Sequence, residues 1–188
     1  MGVPRAFLDA SVLYPVSLRN LLMRLTPAGL YQARWSADVH KEWIRAVLRD
    51  HPHIPEARLH ALRDAMNERA EECLVTGYET LIETLTLPDP NDRHVLAAAI
   101  VAGAEIIVTC NPRDFPDASL EPFGIEAQHP DEFILRLLEL APDVVTDAVR
   151  DQQARLTNPP VAMAELLALF ERQGLRETVS ELRRLTGE

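Results

Sequence analysis

The sequence predicts an α/β fold, with a parallel sheet covered by helices on both faces and a purely helical C-terminal stretch. Short apolar runs at Arg5–Asp9, Cys73–Thr76, Glu105–Thr109 and, more weakly, Gly124–Ala127 read as strands. Segments of helical periodicity lie between them, and such alternation marks a parallel sheet buried on both sides. From Pro130 onward the pattern is helical throughout.

The first strand ends in a carboxylate, Asp9. After Pro15, Leu18, Leu21, Leu22 and Leu25 share one helical face, and Thr26-Pro27-Ala28-Gly29 stops that helix. Ser36 is a good N-cap for a second helix striped by Val39, Trp43, Ala46 and Val47, which His51-Pro52 ends. A third runs from Glu56 to about Glu72, with Leu59, Leu62 and Met66 on one side. In the next helix Asp89 can cap, Pro90 suits the first position, and Asp92 falls third, where a carboxylate meets free backbone N–H groups. Gly103 can close it. Later breaks fall at Ala141-Pro142, Asn158-Pro159-Pro160 and Gly174. Two units are therefore expected: an α/β domain over 1–141 and a helical extension over 142–188.

Apolar residues make up 47% of the 188 and charged residues 26%, ordinary values for a globular domain. The longest apolar run, Val95–Ala104, is about half the length of a membrane span. The run before Asp9 is too short for a secretory signal, so a cytoplasmic protein without a membrane partner is expected. Cys73 and Cys110 are too few for a disulfide framework or a four-ligand zinc site, and read as small buried thiols. The net charge of −10 argues against a nucleic-acid partner until its distribution is considered. Residues 1–70 carry ten Lys/Arg against seven Asp/Glu, and residues 71–188 carry nine against twenty-two. The N-terminal third can thus face a polyanion that the remainder repels.

In open α/β sheets, ligands bind beyond the carboxyl ends of the strands. Asp9 ends the first strand, Thr109, Asn111 and Asp114 follow a later one, and Asp92 starts the helix that feeds it. Glu42, two turns into its helix, reaches this edge only if the fold brings it there. Each residue also has an ordinary reading: Asp9 and Asp114 as turn formers, Asp92 as a dipole-complementing acid, Glu42 as part of a solvated face. Carboxylates sharing a pocket repel by about 4 kcal/mol per pair at ~4 Å and an effective dielectric of ~20. Such a cluster takes up protons or holds a cation, and all-oxygen ligands favour magnesium or manganese.

Taken together, Phe7-Leu8-Asp9-Ala10-Ser11-Val12-Leu13, the Ser36…Glu42 helix, Asp89-Pro90-Asn91-Asp92-Arg93-His94-Val95-Leu96-Ala97-Ala98-Ala99 and Val108-Thr109-Cys110-Asn111-Pro112-Arg113-Asp114-Phe115-Pro116 resemble the PIN-domain family, and most closely its VapC-type toxins. The resemblance covers residues 5 to about 130. It implies a three-layer α/β/α fold and an endoribonuclease dependent on Mg2+ or Mn2+. RNA is the implied substrate, a cognate antitoxin the implied partner, and a homodimer a frequent assembly. Asp9, Glu42 and Asp92 match the three shared acids. Ser11 and Thr109 match the small hydroxyl positions near the metal. The departure is Asn111, at a position where many members carry Asp; Asp114 is the substitute candidate for the fourth acid. Asn111, with Ser11 and Thr109, is placed on the substrate side.

His40 and His94 each lie two residues from a proposed ligand and are expected to point away from it. A PIN-like binding module without catalysis, or a processing nuclease that is not a toxin, are the competing readings. Dehalogenase-type phosphate chemistry wants a second Asp where Ser11 stands. Residues 142–188 lie outside the PIN pattern. Their two stripes, Met163/Leu166/Leu167/Phe170 and Leu175/Val179/Leu182/Leu185, read as a packed cap or a partner surface.

Overall fold

The computed structural model describes residues 2–69 and 72–187. Five parallel strands form its sheet in the order β3-β2-β1-β4-β5. They are β1 (Arg5–Leu8), β2 (Gln32–Ser36), β3 (Leu74–Val75), β4 (Ile106–Val108) and β5 (Glu126–Gln128). The helices are α1 (Ala10–Leu13), α2 (Val16–Leu25), α3 (Ala37–Asp50), α4 (Glu56–Arg69), α5 (Glu79–Ile82), α6 (Arg93–Val101), α7 (Asp117–Leu120), α8 (Pro130–Leu140), α9 (Pro142–Ala154), α10 (Met163–Arg172) and α11 (Arg176–Thr186). This is the three-layer α/β/α arrangement with C-terminal helices that the sequence predicts.

Strand β2 is an addition: no strand is expected between Gly29 and Ser36. Gln32 and Arg34 break the apolar run, yet Arg34 is 9% exposed and Ala33 and Trp35 are fully buried. The Arg34 guanidinium is accommodated by donating to the Ala33 carbonyl at 2.9 Å and to Gln32 Oε1 at 3.2 Å. A polar residue able to satisfy itself locally thus disguises a central strand. The last strand also lies later than the expected Gly124–Ala127. Helix α4 ends at Arg69, short of the expected Glu72; residues 70–71 lie outside the described residues, and Glu72 is a turn residue with φ +69°.

The chain builds outward from β1 to β2 and β3, then returns to the other side of β1 for β4 and β5. The order reverses between β1 and β4, so the crevice beyond their carboxyl ends is the topological switch point. Register puts Leu8 opposite Val108, and Asp9 N–H donates to the Val108 carbonyl at 3.1 Å. Asp9 and Thr109 therefore emerge side by side.

One continuous apolar cluster runs from β1 to Leu182 and takes in both C-terminal stripes. Gln152 Nε2 donates to the Ser17 carbonyl at 3.0 Å, tying α9 to α2. Phe133 on α8 meets Tyr31 edge-on, with ring centroids 5.1 Å apart. The Asp131 carboxylate accepts from the N–H groups of Glu177 and Thr178 at 2.9 and 2.8 Å, capping α11 from α8. Both cysteines are free; Cys73 is buried and Cys110 partly so. No helix among the described residues is long and apolar enough to cross a membrane.

Candidate functional site

Asp9 is the best-held carboxylate at the β1/β4 crevice. Its Oδ1 accepts from Ala10 N–H at 2.7 Å, capping α1. Its Oδ2 accepts from the hydroxyls of Ser11 at 2.6 Å and Thr109 at 2.9 Å. Those hydroxyls are fixed in turn. Ser11 Oγ accepts from Cys110 N–H at 3.0 Å, and Thr109 Oγ1 accepts from Asn111 N–H at 3.1 Å. Thr109 is fully buried, and its hydroxyl serves Asp9. Asn111 itself is exposed.

Asp92 ends a 3-10 turn, Pro90–Asp92, one residue before α6. Asp89 starts that turn by accepting from Asn91 N–H at 2.9 Å. Asp92 is half-buried, and burial first, then the fields of Asp9, Asp89, Asp114 and Glu42, push its pKa from 3.8 up to about 6. The fold thus brings the other three sequence-predicted acids close enough for their charge to be felt at Asp92, and adds a fifth, Asp89, which the sequence presents only as a cap. Asp114 arrives on a second 3-10 turn, Pro112–Asp114, half-buried after β4. Among the described residues, neither Asp9, Asp89, Asp92 nor Asp114 has a Lys or Arg partner. Nor, among them, do three His, Cys, Asp or Glu side chains stand close enough to enclose a metal ion as placed.

Glu42 corrects an expectation about its neighbour. His94 does not point away from the acids: its Nε2 donates to Glu42 Oε1 at 2.8 Å. The His94 side chain is 12% exposed and that of Glu42 41%, so the histidine grips the carboxylate from the inner side. Burial is the largest single influence on His94 and opposes its protonation. The hydrogen bond and charge of Glu42, with the fields of Asp38 and Asp9, outweigh it and raise the pKa above the usual histidine value. Spacing from Asp92 along the chain gave no sign of this, because Glu42 comes from a different helix. Asp38, one turn earlier on α3, is occupied by Lys41 at 2.8 Å and the Tyr78 hydroxyl at 2.7 Å, which lower its pKa. His40 behaves as expected and turns inward, accepting from Trp43 Nε1 at 2.9 Å and lying 3.0 Å from Asn67 Oδ1.

The donor set is of the kind a hard divalent cation takes: several carboxylate oxygens, no Lys or Arg ion pair to Asp9, Asp89, Asp92 or Asp114 among the described residues, and a half-buried Asp92 that holds its proton unusually well.

Two comparisons with known proteins give matches. Residues 130–184 match the family model described as the VapC50 C-terminal domain, taking in α8 as well as the helices after it. A Mycobacterium tuberculosis protein named "Putative ribonuclease VapC50" is 40% identical over 91 residues, which is 48% of this chain and 53% of that protein. The matched stretch thus spans about half of the relative's length. No solved structure gives a significant match. The chain is thus similar to a VapC50 C-terminal domain over residues 130–184, and to a protein named as a ribonuclease over about half of its own length.

Proposed function

We propose that this protein is a metal-dependent endoribonuclease that hydrolyses RNA phosphodiester bonds, and that it serves as the toxin of a toxin–antitoxin pair in the cytoplasm. The observation that carries this is the convergence of Asp9, Glu42, Asp89 and Asp114 on the field of Asp92 at the sheet's switch point. The relative's name as a ribonuclease supports the reaction class.

Asp9, Asp92, Glu42 and Asp114 would hold Mg2+ or Mn2+. A bound ion of this kind activates water and offsets charge on the scissile phosphate and leaving oxygen. The chain's part is orientation. Ser11 and Thr109 fix one Asp9 oxygen and Ala10 N–H the other, while His94 holds Glu42. In this reading Ser11 and Thr109 act on substrate through Asp9, and exposed Asn111 meets the RNA directly. The Lys/Arg excess of residues 1–70 gives the polyanion a surface to approach. A cognate antitoxin is the implied protein partner; a homodimer rests on the resemblance alone.

Asn111, uncharged where many relatives of the family carry Asp, favours a second reading: a PIN-like binding module without catalysis. Purified protein incubated with RNA, with and without Mn2+ and chelator, separates the two. The nuclease reading expects metal-dependent cleavage lost in Asp9→Asn, whereas binding without cleavage would leave the module.

A further inference from the structure

A second concave site lies at the seam between α2, α4 and α9, and shares no lining residue with the acidic crevice. Its volume is about 390 Å³, within the range of small-ligand sites. Four arginines line it (Arg19, Arg24, Arg69 and Arg155), with Met66 and Leu156 among its apolar floor, and among the described residues no Asp or Glu. In a chain of net charge −10, four guanidiniums around one cavity are a marked concentration.

Among the described residues, no acid forms an ion pair with Arg19, Arg24 or Arg155. Arg19 is 4% exposed and rigidly placed: one amino group donates to the Leu13 carbonyl at 2.6 Å, and its guanidinium sits 5.0 Å over the Trp43 ring. The Nε–H groups of Arg19 and Arg24 are buried and have no partner among the described residues. Burial first, and then Arg155 and Arg69, weaken proton binding at Arg24, against the opposing field of Asp151. Like charges held together at a cost are relieved by an anion, and planar guanidiniums suit phosphate oxygens in particular.

We propose that the α2/α4/α9 pocket binds a nucleotide phosphate, with Arg24 and Arg155 at the phosphate and the Met66–Leu156 floor beneath the base. The same group occurs in a free mononucleotide and in an RNA strand. The pocket accepts it independently of any cleavage at the acidic crevice.

The test is fluorescence or calorimetric titration of the whole protein, in chelator, with adenosine monophosphate and with a ten-nucleotide RNA. Three variants are compared: Arg24→Gln/Arg155→Gln, Arg24→Lys/Arg155→Lys and Asp9→Asn. Wild type and Asp9→Asn should bind alike. The glutamine pair should bind at least ten-fold more weakly, with a far-ultraviolet spectrum and melting temperature near wild type, and the lysine pair should fall between. If an RNA strand is the source, the salt slope of its binding should drop by about 0.7 for each phosphate that an arginine no longer neutralises. If a free nucleotide is the source, the monophosphate should bind and displace the oligonucleotide. Absence of binding by either probe, or equal binding by wild type and the folded glutamine pair, would overturn the proposal. So would a preference for poly-glutamate over both probes.

Discussion

His94 and Glu42, fifty-two residues apart, share a 2.8 Å hydrogen bond that locks the start of α6 to the middle of α3. The histidine's other ring nitrogen, Nδ1, is buried and has no partner among the described residues, so the orientation of His94 depends on Glu42. This contact turns a half-exposed helix carboxylate into a directed one.

His94→Phe should therefore slow RNA cleavage by about 10- to 100-fold, the usual cost of removing a group that orients a metal-binding side chain. The fall should lie in kcat rather than KM, and Mn2+ titration should show weakened affinity. An unchanged rate with an unchanged fold would remove His94 from the positioning role.

Burial and four neighbouring acids make Asp92 costly to ionise. A raised folded pKa means this site's stability is fully present below the unfolded value of 3.8 and is lost as pH rises through about 6. Asp92→Asn removes that cost. In chelator at pH 7.5 it should raise stability by about 1 kcal/mol, a value discounted for solvent screening, or roughly 2–4 °C in Tm for a chain of this size. The same variant should lose cleavage. Added Mn2+ should raise the wild-type Tm and leave the variant's nearly unchanged.

His40 works in the opposite sense. Burial lowers its pKa from 6.5 to about 4, opposed chiefly by its hydrogen bond to Asn67. A depressed folded pKa contributes stability that is present above 6.5 and is lost as pH falls toward 4. Urea unfolding of wild type should show about 2 kcal/mol less stability at pH 4.5 than at pH 7 from this residue. In His40→Gln that share of the pH dependence should vanish.

Phe170 on α10 is fully buried in the same cluster as β1 and α2. Phe170→Ala should cost about 3–5 kcal/mol. Unfolding followed by tryptophan fluorescence at Trp35 and Trp43, far from the substitution in sequence, should shift with it. A variant that melts its C-terminal helices while those tryptophans stay folded would show that the two parts unfold separately.

Much of this was legible in the chain. The apolar run ending at Asp9, the Asp89-Pro90 helix start and the stripes of the last two helices all express local chemistry, and they appear where the pattern puts them. What escaped was set by residues distant in sequence. Strand β2 was hidden because Arg34, a charged residue, is accommodated inside by Gln32 and the Ala33 carbonyl on its own strand and by Glu72 beyond it. The role of His94 was hidden because its partner lies on another helix. Asp89 looks complete as a cap, and only folding sets its charge beside Asp92. The arginine pocket draws residues from α2, α4 and α9, so no single segment displays it.

The most direct measurement is cleavage of a defined RNA by purified wild type, Asp9→Asn and Asp92→Asn across a Mn2+ titration, with chelator as the zero point. Wild-type activity should rise with manganese and be absent in chelator, and both variants should stay inactive at every concentration. Cleavage that persists in chelator, or in both variants, would contradict a cation held by these acids.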